Sequence, residues 1–160
     1  MDYLWTPWRY QYVTKLEEPG ACVLCAAAQP GDDAQSFVVH RAARSYVILN
    51  RYPYTSGHLM VVPYDHVASL GELAPETLTE MILLAREAER HLHAVYRPEG
   101  MNIGMNLGQC AGAGIAAHLH LHVLPRWRGD TNFMTVTAET RVVPEDLETT
   151  WRKLREVWKP

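Results

Sequence analysis

From Ala117 to Val123 the chain reads Ala-His-Leu-His-Leu-His-Val, a strict alternation that continues as Leu124-Pro125-Arg126. Period two marks a half-buried strand, so His118, His120 and His122 share one face while Leu119, Leu121 and Val123 point toward a core. A single strand histidine is usually a satisfied polar group. Folding asks nothing of three imidazoles in a row, so this face is read as a chemical one. Upstream, Ser36–Arg41 and Arg44–Asn50 read as two strands on a tight connection, carried by Val38, Val39, Tyr46, Val47 and Ile48. Arg51–Ser56 is a proline-containing loop, and Gly57–Pro63 is a third strand. The period then becomes helical from Pro75 to Tyr96, with Leu78, Met81, Ile82, Ala85, Ala88, Leu92 and Val95 as the apolar stripe. Pro75 suits the first turn, and Arg97-Pro98-Glu99-Gly100 ends the helix. A strand at Met101–Asn106, a glycine-rich loop at Gly108–Gly114 and a last strand at Phe133–Thr137 complete the middle of the chain. In the terminal stretch 144–160, Leu147, Trp151, Leu154 and Trp158 place a C-terminal helix over 144–158. Strands gathered before and around one long helix predict an α+β domain with an antiparallel sheet.

A length of 160 residues fits one domain over 1–160, in which residues 1–20, rich in Trp, Tyr and Pro, read as an extended arm. The formal charge of −3 argues against a nucleic-acid or anionic-membrane partner but leaves a small phosphorylated ligand open. Neither a secretory signal nor a membrane-spanning run is expected. Three cysteines, two of them in the pair Cys22-x-x-Cys25, suit a reducing, cytoplasmic compartment. That pair has the spacing of a zinc knuckle. A redox reading would need a strand-to-helix junction, which the flanks Pro19-Gly20 and Ala26-Ala27-Ala28 do not supply; two unliganded buried thiols are the plainer alternative. Cys110 reads as a small filler in its loop.

Imidazole is largely neutral and nucleophilic near pH 7 without help. Neighbouring imidazoles disfavour protonating His120, and His122, one strand step on, can donate to a phosphate oxygen or a leaving group. Small residues in Gly108–Gly114 let backbone N–H groups approach an anion, which before a histidine strand reads as a phosphate cradle.

His118-Leu-His120-Leu-His122-Val-Leu124 matches the signature His-φ-His-φ-His-φ-φ (φ apolar), and the chain resembles the histidine triad (HIT) superfamily. Asn50, then Gly57-His58-Leu59, Val62-Pro63-x-x-His66, Asn106, Gly108 and Ala111-Gly112 follow in that family's order, covering most of 22–134. Leu4-Trp5-Thr6-Pro7-Trp8-Arg9 and Pro125-Arg126-Trp127 further resemble bacterial members related to diadenosine tetraphosphate phosphorylases. The resemblance implies a HIT-like fold, His120 as a nucleophile forming a nucleotidyl-imidazole intermediate, and His122 and His118 as its companions. It assigns nucleotide contacts to Asn50, His58, Asn106, Gly108, Gly112 and Gly114, although Asn50 and Asn106 alternatively only cap strands and His58 is alternatively a structural histidine. It implies a structural zinc held by Cys22, Cys25, His66 and His118. It also implies a homodimer, for which the Trp-rich arm and the terminal helix offer apolar surface.

The departures are specific. Gly114, Ile115 and Ala116 stand where relatives carry polar residues, so backbone contacts must do more. Phosphorylases commonly carry glutamine at the third triad position, so His122 tips the expectation toward water as acceptor, while the flanking motifs favour phosphate. The expected substrates are dinucleoside polyphosphates such as diadenosine tetraphosphate. Phosphate-dependent phosphorolysis, nucleoside phosphoramidate hydrolysis and nucleotide binding without turnover are the alternatives. His91 and His93 are read as solvated, His40 as an unassigned strand histidine, and Trp151 and Trp158 as core or dimer contacts. Trp127 is left open.

Overall fold

The computed structural model describes residues 22–130 and 145–158; the expected arm and the strand at Phe133–Thr137 lie outside them. Five antiparallel strands, β1 (Val38–Arg41), β2 (Ser45–Leu49), β3 (Leu59–Pro63), β4 (Gly100–Met105) and β5 (Leu121–Arg126), lie in the order β1-β2-β3-β5-β4. The two short helices α1 (Val23–Ala28) and α2 (Asp33–Ser36) precede the sheet, the long helix α3 (Pro75–Tyr96) joins β3 to β4, and α4 (Leu147–Val157) is terminal. Among the described residues no helix is long and apolar enough to cross a membrane.

Alternation along the strands divides two cores. Val47, Leu49, Leu59, Val61, Leu121 and Val123 face Met81, Leu84, Ala85, Ala88 and Leu92 of α3 and Leu154 of α4. Tyr46, Ile48, Met60 and Val62 face the other way, onto Leu24 of α1. The buried stripe of α3 takes in Leu84 rather than the expected Ile82, which is exposed, because positions 81, 84, 85, 88 and 92 share one face at helical spacing. The helix stops as expected at Arg97, whose left-handed backbone (φ 47°) lets its N–H bond the carbonyl of His93.

Three departures from the sequence reading bear most on the site. β1 begins at Val38 because Asp32 caps α2 and Phe37 turns the chain in the left-handed region (φ 59°). Residues Val23–Ala28 are helical, where no regular pattern was visible. The histidine strand begins at Leu121, so His118 and His120 lie on an irregular approach to it that is bonded through Leu119 N–H to the carbonyl of Val67 at 2.7 Å. The alternation of faces nevertheless runs through that approach: Leu119 joins the helical core, and His118 and His120 are buried on the opposite side.

α4 closes the outer edge of β1. Trp151 Nε1–H donates to the carbonyl of Val38 at 2.8 Å, and the Arg155 guanidinium donates to that of Val39 at 3.0 Å. The two donors are one helical turn apart. They reach the point where β1 slips register against β2, between Val38 and His40. Trp158 is buried, with its ring 5.7 Å from that of His40 and 4.6 Å from that of His91. Both histidines are therefore packing partners, and Trp158 is a core residue rather than a dimer contact. Only His93 is exposed as expected.

Candidate active site

Helix α1 brings the cysteines to the sheet. Cys22 is its N-cap and Cys25 lies one turn on, so both sulfurs share a face. Tyr46 anchors the helix by donating to the carbonyl of Leu24 at 2.6 Å. Arg41 holds its far end, donating to the carbonyls of Ala27 at 2.9 Å and Ala28 at 2.8 Å. Across from it, Cys25 Sγ is 3.1 Å from His66 Nδ1, and both sulfurs are 3.4 Å from His118 Nδ1. The four ligand atoms lie within 4.8 Å of one another. A tetrahedral zinc with bonds of about 2.0–2.3 Å separates its ligands by about 3.3–3.8 Å, so this donor set fits such an ion. The partner of His118 fits as well. Its Nε2–H donates to the carbonyl of Pro63 at 3.0 Å, which leaves the Nδ1 lone pair facing the sulfurs. Burial, then the adjacent Cys22, pushes the Cys25 thiol up from its ordinary range, and a divalent cation offsets that penalty.

Two more tautomers follow from fixed partners. A carbonyl can only accept, so His120 Nδ1, 2.8 Å from the carbonyl of His118, carries a hydrogen, and Nε2 keeps its lone pair. The Tyr54 backbone N–H can only donate, so His58 Nδ1, 3.2 Å away, accepts. His58 Nε2–H then donates to His122 Nδ1 at 2.9 Å, and the neutral His122 ring presents its own Nε2–H. Burial lowers the pKa of His120. Burial, then the neighbouring His120, pushes His122 down to about 4, so both rings are neutral at pH 7. Their centroids are 4.8 Å apart, edge to face. A lone pair and an N–H donor stand side by side on this face.

His58 is fully buried, and the residue before it explains how it gets there. Gly57 has φ +82°, and a Cβ there would lie 2.9 Å from Leu92 Cδ2 and 3.1 Å from Tyr96 Cε2. Only glycine lets the loop pass beneath α3 and aim His58 at the triad. Asn50, at the other side of the hairpin mouth, accepts the Tyr52 N–H on Oδ1 at 2.9 Å, and its amide nitrogen is 3.5 Å from His58 Nε2. Asn106 follows β4, with its amide nitrogen 3.5 Å from the carbonyl of Gly112.

The glycine loop holds a short 3-10 turn at Gln109–Ala111 between Gly108 (φ 81°) and Gly112 (φ 90°), both in the region that side-chain-bearing residues avoid. Gly114 follows, half-buried, and the loop joins the triad through His118 N–H to the carbonyl of Ile115 at 3.3 Å. The structure thus gathers Cys22, Cys25, His66 and His118 into one cluster, and His120, His122, His58 and Asn50 into another that adjoins it. Sequence reasoning missed Tyr54, whose ring is 4.9 Å from that of His58 and whose N–H sets the tautomer chain. The signal was there, as two tyrosines flanking Pro53 between Asn50 and His58.

A family profile described as the HIT domain matches residues 32–129. A Mycobacterium tuberculosis protein named AP-4-A phosphorylase is 40% identical over 167 aligned positions, spanning 99% of this chain and 85% of the relative. A Schizosaccharomyces pombe protein named bis(5'-nucleosyl)-tetraphosphatase (asymmetrical) is 32% identical over 95 positions, 59% of this chain and 52% of its own length. Among solved structures, a zinc-bound histidine triad family protein from Mycobacterium smegmatis superposes with a TM-score of 0.67 at 30% identity, covering 85% of this chain and 91% of the other. The match across the sheet, the loop and the triad makes this chain a member of the histidine triad family.

Proposed function

We propose that this protein cleaves dinucleoside polyphosphates of the diadenosine tetraphosphate kind by nucleotidyl transfer through His120. The observation that carries the reading is the 2.8 Å bond from His120 Nδ1–H to the carbonyl of His118, which leaves Nε2 as an unprotonated nucleophile in a buried site. His120 Nε2 forms a bond to the α-phosphorus, the bond from that phosphorus to the bridging oxygen breaks, and the electron pair departs with ATP. A polyphosphate leaves as an anion, so a hydrogen bond from His122 Nε2–H suffices without proton transfer. An acceptor oxygen then bonds the phosphorus, and the N–P pair returns to Nε2. Gly108, Gly112 and Gly114 would bring backbone N–H groups to the phosphates, and Asn50 and Asn106 would bind the ribose and α-phosphate region. Cys22, Cys25, His66 and His118 would hold a structural zinc, supported by the ligand geometry and by the zinc-bound M. smegmatis neighbour. All three cysteines are free thiols, the state that a reducing cytoplasm maintains.

Phosphate is the acceptor that the combined observations favour. The resemblance favours water only because related phosphorylases commonly carry glutamine where His122 stands. A ring with its pKa pushed down to about 4 is neutral near pH 7 and presents an uncharged N–H donor, as a glutamine amide also can. The relative matching 99% of this chain is named a phosphorylase. With diadenosine tetraphosphate, the expected products are ATP and ADP, with ADP formation depending on phosphate at millimolar concentration. Dominant AMP in the presence of phosphate would overturn this and restore water as the acceptor.

The same reading includes a homodimer; of the two surfaces that the sequence offers for it, the arm lies outside the described residues, and another surface is available beside them. The apolar side of α4 is spent on its own core, whereas among the described residues β4 is a sheet-edge strand with Ile103 exposed, and Leu107 is exposed just beyond it. An open edge with apolar side chains favours pairing with a second copy. Sedimentation at micromolar concentration should give a dimer that Ile103→Lys shifts toward monomer. A monomeric unmodified protein would sink the proposal.

A further inference from the structure

Tyr96 closes α3, and its side chain joins parts of the molecule that lie far apart in sequence. Its ring lies against Gly57: a Cβ on that glycine would be 3.1 Å from Tyr96 Cε2, with Leu92 Cδ2 and Pro125 Cγ at 2.9 and 3.3 Å. The Trp127 ring, just past β5, meets it edge-on with centroids 6.5 Å apart. Its hydroxyl donates to Glu145 Oε1, just ahead of α4. Glu145 is a hub. From α4, Thr150 Oγ1–H donates to the same oxygen at 2.8 Å, and Lys153 Nζ donates to Oε2. Lys153 Nζ also lies 5.7 Å from the centre of the Tyr96 ring. Burial pushes the Glu145 carboxyl up, but Lys153, Tyr96 and Thr150 together hold it below its ordinary range, so it is ionised at pH 7. A charged acceptor makes these bonds stronger than neutral ones.

Of the three side chains that wall Gly57, Tyr96 alone carries a polar tether, and the residue after Gly57 is His58. His58 is buried, and its Nε2–H bond to His122 Nδ1 at 2.9 Å fixes the tautomer in which His122 presents its own Nε2–H. With the left-handed backbone of Gly57 held against a fixed wall, the direction in which the chain enters His58 is set. A wall that gives lets His58 turn away, and His122 then carries its hydrogen on either nitrogen. We propose that Tyr96, tethered by Glu145, is a positioning residue that keeps His58 on His122 and so holds the leaving-group donor in place. The C-terminal helix thereby reaches the reaction through one carboxylate. The proposal rests on His122 as that donor.

The test reads the histidines first and turnover second. In protein carrying isotopically labelled histidine, nitrogen NMR reports which ring nitrogen of His58 and His122 bears the hydrogen. The unmodified protein should show it on Nε2 of both rings. Tyr96→Leu should mix the tautomers of His122 and lower kcat roughly tenfold while KM stays within about twofold, because the donor acts in the transition state. Tyr96→Phe keeps the ring and loses the hydroxyl, and Glu145→Gln keeps the shape and loses the charge; both should shift His122 the same way by less. On a His58→Leu background, where no such bond is left to position, Tyr96→Leu should cost no further kcat. Unchanged tautomers in all three variants would overturn the positioning role, as would an equal loss of kcat with and without His58. A shift confined to Tyr96→Leu would overturn the part given to Glu145. Failure of the unmodified protein to cleave any dinucleoside polyphosphate counts against the donor role of His122 and leaves the tautomer comparison to decide the positioning by itself.

Discussion

His120→Ala is expected to lower turnover of diadenosine tetraphosphate on the order of a thousandfold or more, because it removes the atom proposed to accept the nucleotidyl group. Binding should change only a few-fold, since the loop and the asparagines are untouched. The fold should survive as well. The substitution gives up one hydrogen bond to the carbonyl of His118, worth about 1 kcal/mol, plus the packing of one ring at the margin of the core. Intact-mass spectra of the unmodified protein, quenched during turnover, should show an added adenylyl group that the variant lacks. In His120→Gly, free imidazole should restore part of the rate by filling the vacated position. Normal turnover in His120→Ala with none in His122→Ala would reverse the assignment along the strand.

The second large effect concerns the metal. The purified protein should hold about one zinc per chain, and Cys22→Ser or Cys25→Ser should lower metal content and thermal stability together. Losing even about 3 kcal/mol of metal-linked stability lowers Tm by roughly 10 °C in a domain of this size. Activity should fall too, although the role proposed for the ion is structural. His118 offers Nδ1 to the cluster and its carbonyl to His120 Nδ1–H, so loosening His118 loosens the bond that keeps the His120 lone pair on Nε2. Metal-free protein of unchanged Tm would refute the structural zinc and leave His118 with only its backbone role.

The parts of this site that were legible in the sequence are those in which a side chain's identity and its period decide the outcome. The alternation 118–123 survives even where the backbone is not yet a strand, because burial of Leu119 and Leu121 sets the faces whether or not a neighbour completes the ladder. The stripe of α3 was legible for the same reason, apart from its edge at Ile82. The parts that were not legible depend on groups every residue carries. The tautomers of His118, His120 and His58 are set by the carbonyls of Pro63 and His118 and the N–H of Tyr54, none of which leaves a mark in composition. Helix α1 was hidden because its six residues are too few to show a period, and Arg41 and Tyr46, which hold it, are distant in sequence.

The indole of Trp151 and the guanidinium of Arg155 on the carbonyls of β1 make this sheet directional. Among the described residues, α4 covers β1 at one side of the sheet, and β4 at the other side is paired with β5 alone. In the proposed dimer, two copies meeting at β4 would consume both of those sides, and the two bonded carbonyls of β1 would face outward at each end. A pair formed in that way would stop at two copies. On this view α4 is a terminator. Clipping it off would be expected to turn a self-limiting pair into a sheet that can add copies from both ends.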